Sequence, residues 1–151
     1  MKTKSFLTVA LLLIAFHSIH AATVINKDKS GLALKGYDAV SYFNEGKAVE
    51  GKKDFEHSWM DATWRFSTAE NRDLFAKNPE KYAPQFGGYC AFGVTGGYLA
   101  PVDPTAWKVV DNKLYLNYDH EIQKKWSEDI AGNIKKALEK WPAASKTKPV
   151  E

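Results

Sequence analysis

Three stretches of the chain have a readable hydrophobic pattern. Phe55-Glu56-His57-Ser58-Trp59 alternates apolar with polar, as does Trp64-Arg65-Phe66, which predicts a hairpin turning at Asp61-Ala62. Pairing across that turn sets Trp59 opposite Trp64 and His57 opposite Phe66, so one face carries Phe55, His57, Trp59, Trp64 and Phe66. In Trp107 to Leu116 a two-residue turn at Asp111-Asn112 pairs Val109 with Leu114 and Trp107 with Leu116, again on one face. From Asp119 onward Ile122, Trp126, Ile130, Ile134, Leu138 and Trp141 recur at spacings of three and four, the period of an amphipathic helix, which Pro142 is expected to close.

Shorter elements fill the gaps. Gly36 to Phe43 predicts a short helix with Asp38 accepting from its first free amides, and Gly46 and Gly51 bracket a short connecting strand. Ser67-Thr68-Ala69-Glu70 fits a capping box, followed by a helix through Leu74 and Phe75 that stops near Asn78-Pro79. After a turn-like Glu80 to Pro84 comes a glycine-rich run, Gly87 to Gly97, with Cys90 inside it. These elements specify an α+β domain: a small antiparallel sheet built from two hairpins, packed by a short helix after the first hairpin and a long C-terminal amphipathic helix.

The first residues read differently. Lys2 and Lys4, an apolar run of eleven residues from Phe6 to Phe16, and the small-residue exit Ile19-His20-Ala21 form a secretory signal of the Sec type. Cleavage is expected after Ala21, with Ala22 as the alternative. A membrane-spanning helix needs roughly 20 apolar residues, so no stable anchor is expected. The organisation is then a signal peptide over 1–21, a flexible lead-in over 22–30, the domain over 31–142 and a disordered tail over 143–151, delivered to the periplasm or secreted.

Losing Lys2 and Lys4 takes 21 basic residues to 19 against 18 acidic, so the formal charge falls from +3 to +1. Aromatics are not interleaved with Lys and Arg, and nucleic acid is a poor partner. The chain has a single cysteine, Cys90, which cannot close a disulfide within the chain. His17 and His20 leave with the signal, which excludes a multi-histidine metal site built on them.

Gly36-Tyr37-Asp38-Ala39-Val40, Glu56-His57-Ser58, Trp64-Arg65-Phe66 with Phe75, Asn78 to Tyr82, and Gly87-Gly88-Tyr89-Cys90-Ala91 together resemble the exported YHS-domain family, over residues 30 to 141. Some members of the related branch carry selenocysteine. The family's naming triplet is Tyr-His-Ser; here Glu56 stands first and His57-Ser58 complete it. The resemblance implies a soft metal, with copper the usual suggestion, and a metal-handling protein as partner. Two-cysteine members place thiols near the domain start and in the strand-to-helix segment. This chain has Asp38 or Ala39 and Ser67 to Glu70 there, so that cysteine-rich site does not carry over. What carries over is Cys90, at the position of cysteine or selenocysteine in relatives, and His57.

From the residues alone, glycines ahead of Cys90 permit amides to point inward, and such a nest or a helix start would lower the thiol pKa. A thiolate beside a neutral imidazole suits Cu(I), and equally suits a nucleophile with its base. The leading expectation is a soft-metal site of Cys90 and His57 with Asp38 or Tyr37 nearby. The alternatives are a thiol-dependent oxidoreductase or peroxidase-like protein with Cys90 catalytic, and an interaction module in which the cysteine is passive. The residues also have plainer uses: His57 as a core histidine, Asp38 as a helix cap, His120 as a surface or capping residue, and Tyr89 as core. Phosphate-loop, dinucleotide, haem and zinc-protease motifs are absent, as is a resolving cysteine.

Overall fold

The computed structural model describes residues 24–150, and the expected export signal over 1–21 lies outside the described residues. The α+β class holds. In chain order the elements are α1 (Ser41–Asn44), β1 (Lys52–Trp59), β2 (Ala62–Phe66), α2 (Ala69–Lys77), α3 (Pro79–Tyr82), α4 (Ala91–Thr95), β3 (Asp103–Val110), β4 (Lys113–Asn117), α5 (His120–Ser127) and α6 (Ile130–Ala144). The strands form two separate two-stranded antiparallel sheets, one per hairpin.

The second hairpin has the expected register, Val109 with Leu114 and Trp107 with Leu116, around a turn in which Asp111 and Asn112 both have positive φ. Such a turn matches the right-handed twist of the strands, and Asp and Asn tolerate it. The first hairpin slips by two residues from expectation: His57 pairs with Trp64 and Trp59 with Ala62, and the turn is Met60-Asp61, both at positive φ. Methionine carries no signal for that conformation, which is why the turn was misplaced. Because side chains alternate with period two, a slip of two keeps the same face inward.

That face meets α2. Phe75 of α2 is fully buried, with its ring centroid 5.0 Å from Trp64, 5.1 Å from Phe66 and 5.8 Å from Trp59. A second apolar cluster lies under α6, where tilted ring contacts link Trp141 to Phe86, Phe86 to Tyr115 and Tyr115 to Trp126. Fully burying side chains of this size contributes roughly 1.5–3 kcal/mol each, and with one cysteine the fold rests on this packing.

Three details differ from the sequence reading. Thr68, not Ser67, caps α2, accepting from Asn71 N at 3.1 Å. The C-terminal helix is two helices, because Asp119 caps α5 and Asp129 caps a new start at α6. Pro142 does not close α6 but sits inside its last turn, two residues short of the end. Both ends of the described segment make contacts with the domain: Ile25 is buried, Asn26 N donates to Gly87 O at 2.8 Å, and Val150 N donates to Leu99 O at 2.8 Å.

Gly87 shows how tightly the lead-in fits. It has φ +62°, and a Cβ there would fall inside the Val24 carbonyl. Gly87→Ala is expected to lower stability by about 2 kcal/mol or more in urea denaturation, and to expose the amide of Asn26 to hydrogen exchange.

Candidate functional site

Cys90 follows a tight turn in which Phe86, Gly87 and Gly88 all have positive φ. That turn delivers it to the first capping position of α4, where its Sγ accepts from Gly93 N at 3.4 Å. Its own N donates to Ala100 O at 3.0 Å. On the other side Asn117 Oδ1, at the end of β4, lies 3.8 Å from Sγ and accepts from Phe92 N at 3.3 Å. The thiol is 2 % exposed and has an acceptor and a donor in place.

The helix start expected at Cys90 is present, but its effect on the thiol is outweighed. Burial pushes the thiol pKa up, against the lowering influence of the Gly93, Tyr118 and Phe92 amides, and the Asp119 carboxylate adds to the rise. Removing a thiolate from water costs more here than a five-residue helix and its amides return.

The other expected ligands each have surroundings of their own. Asp38 is fully buried and its carboxylate accepts five hydrogen bonds. Oδ1 takes Val40 N at 2.9 Å and Ser41 N at 3.3 Å. Oδ2 takes Ser67 N at 2.8 Å, Ser67 Oγ at 2.7 Å and Asn71 Nδ2 at 2.7 Å. His57 lies edge-on to Phe75 at 6.1 Å, on the aromatic face. Tyr37 is half-buried; burial and the neighbouring Glu50 carboxylate raise its phenol pKa, and it hydrogen-bonds Glu50. None of the three is hydrogen-bonded to the Cys90 thiol or shifts its pKa. Among the described residues no group of three or more His, Cys, Asp or Glu side chains is placed to hold a metal ion. His120 is exposed, with Nε2 3.0 Å from Thr105 Oγ1, and Tyr89 is core.

A site that the sequence reading missed is a cleft of about 660 Å³. Its apolar floor comes from Tyr42 and Phe43 of α1, Tyr82 of α3 and Trp107 of β3. Tyr42 and Trp107 meet edge-to-face at 5.1 Å, and Phe43 and Tyr82 at 5.6 Å. The Tyr42 hydroxyl donates to Pro104 O at 2.8 Å, and burial drives its pKa far above the phenol range, so it stays a donor. The rim is polar: Lys81, Asn44, Asn112 and Gln123. Lys81 Nζ stands 5.0 Å over the Tyr82 ring. Lys108, an exposed residue on the pleat opposite Trp107 and Val109, borders the cleft too. No sequence pattern announces this cleft, because its walls come from four elements far apart in the chain.

Asn117 was likewise missed. It is fully buried, and its Nδ2 is unpartnered, as is Trp126 Nε1. A polar residue ending an otherwise apolar strand, Leu114-Tyr115-Leu116-Asn117, is the signal that was available.

Comparison with known proteins returned no match: no family model, no curated protein and no solved structure matches this chain.

Two outcomes follow from these geometries. Asp38→Asn places an N–H₂ among five donors and is expected to cost about 3 kcal/mol or more in denaturant unfolding, whereas Glu56→Gln at the surface is expected to cost about 1 kcal/mol or less. For Cys90 the folded thiol binds its proton more tightly than the unfolded one. Its contribution to stability is therefore complete below the free-thiol pKa of about 8.5 and is lost as pH rises through the folded value. The stability difference between the wild type and Cys90→Ala should accordingly shrink between pH 8 and pH 11, followed by chemical denaturation at each pH.

Proposed function

We propose that this chain is a small binding domain that holds its ligand non-covalently in the aromatic cleft, with Cys90 serving as a buried packing and capping residue. The observation that carries this reading is the state of the thiol: 2 % exposed, satisfied on both sides and raised in pKa by burial. Nucleophilic or redox use needs the thiolate to be accessible, and this environment opposes it. Copper coordination needs the thiolate and a second donor. None of His57, Asp38 and Tyr37 is among the groups hydrogen-bonded to the sulfur. The cleft, by contrast, is open, falls within the usual range of small-molecule sites, and combines an apolar floor with a few convergent polar groups.

The test is alkylation and metal uptake in the mature protein. Iodoacetamide is expected to modify native Cys90 slowly at pH 7, with the rate climbing only above about pH 8.5 and rising sharply in denaturant. Copper(I) uptake is expected to be the same in the wild type and in Cys90→Ala. Fast alkylation at pH 7, or stoichiometric copper abolished by both Cys90→Ala and His57→Ala, would replace this reading with the thiol or metal one.

A further inference from the structure

We infer that the cleft selects a small aromatic carboxylate, an inference that rests on the binding reading above and names its ligand class. The floor of the cleft is ring surface: Phe43 and Trp107 are partly exposed, and the buried rings of Tyr42 and Tyr82 back them. A flat apolar group placed there gains edge-to-face and stacking contacts of the kind these rings already make with one another.

Charge then narrows the class. No Asp or Glu lines the cleft, whereas Lys81 and Lys108 do, and Lys81 is the one placed against the floor. Its ammonium stands over the Tyr82 ring, at the boundary between floor and rim, and no carboxylate among the described residues forms a salt bridge with it. An anionic group on the ligand would meet that ammonium while its ring rests on the floor. A cationic ligand would meet the same ammonium with no carboxylate to compensate. The remaining rim groups, the amides of Asn44, Asn112 and Gln123, can donate to carboxylate oxygens without adding charge. Gln123 already donates to Trp107 O, which fixes its orientation and couples α5 to the ring at the cleft floor.

Size suits a small molecule. A space of about 660 Å³ encloses one or two rings with their substituents, within the range of roughly 300–1,000 Å³ typical of small-molecule sites. A neutral sugar would need a denser set of donors and acceptors around its hydroxyls than three amides and two lysines provide.

The experiment is an amide and indole ¹H–¹⁵N titration of the mature chain with sodium benzoate, benzyl alcohol, benzylamine and glucose. Benzoate is expected to shift the Trp107 indole and the Gln123 side-chain amide, and to bind about two- to fivefold more tightly than benzyl alcohol, the size of one exposed ion pair. Benzylamine and glucose should leave these signals in place. Lys81→Ala should erase the preference for benzoate over benzyl alcohol, and Lys81→Arg should retain it. Raising salt to about 0.5 M should narrow the same gap. If benzyl alcohol, benzylamine or glucose binds as well as benzoate, or if Lys81→Ala keeps the preference, the assignment to aromatic carboxylates falls while the cleft remains a binding site. If none of the four perturbs the cleft, the binding reading falls with it.

Discussion

The Asp38 carboxylate is the interaction on which the arrangement of elements depends. An ionised carboxylate without a cation is costly to bury, and the cost is offset only when its lone pairs are fully used by donors. Here the donors come from three places: the first turn of α1, Ser67 at the end of β2, and Asn71 in the first turn of α2. One side chain therefore sets the position of α1, the exit from the first hairpin and the start of α2. Phe75, about one turn further along α2, can then be the hub for Trp59, Trp64 and Phe66. The other end of the same constraint is α1, which presents Tyr42 and Phe43 to the cleft. A change at Asp38 would thus be felt in the core and in the cleft together, although Asp38 touches neither cavity nor ligand.

Cys90 illustrates a competition that residue types alone do not decide. A thiol at a helix start behind glycines invites the inference of an activated nucleophile, because amides stabilise negative charge. The same glycines, however, let the chain turn so tightly that Cys90 is carried into the interior, and desolvation opposes that stabilisation with greater weight. The glycine-rich run then serves to admit the backbone of the lead-in at Gly87 and to start α4 against Asn117. Whether a cysteine is reactive depends on the balance of these two effects, and burial is a property of the assembled fold.

What could be read from the residues follows the same division. The second hairpin was legible to the residue, since Asp111-Asn112 suits a turn with positive φ and Leu114 and Leu116 need one face. The first hairpin was legible as a face but not as a register, because Met60 gives no turn signal and a slip of two leaves the alternation intact. Asp38 was read as a local cap, which it is, but its bonds to Ser67 and Asn71 span 29 and 33 residues and have no local signature. The break between α5 and α6 is marked by Asp129, yet the apolar period runs on through it, and period dominated the reading. The cleft was not legible at all. Its rings were correctly seen as packing residues, and what distinguishes the two that remain partly open is only the geometry of α1 and β3.

That geometry also explains why selectivity in the cleft falls to the rim. Tyr42 and Tyr82 are almost entirely buried, Tyr42 is tied to Pro104 through its hydroxyl, and the rings brace one another in edge-to-face pairs. A floor so constrained offers any flat apolar group much the same surface and distinguishes poorly between them, since dispersion and area burial are not directional. The rim is different in kind. Lys81, Asn44 and Asn112 are exposed side chains at the end of a short helix or in a turn, free to adjust, and only one of them is charged. Discrimination must then come from how a ligand's polar group meets the basic rim, a salt-sensitive interaction. A stiff aromatic floor fixed through Asp38 and a sparse basic rim together make a site that accepts by shape and chooses by charge.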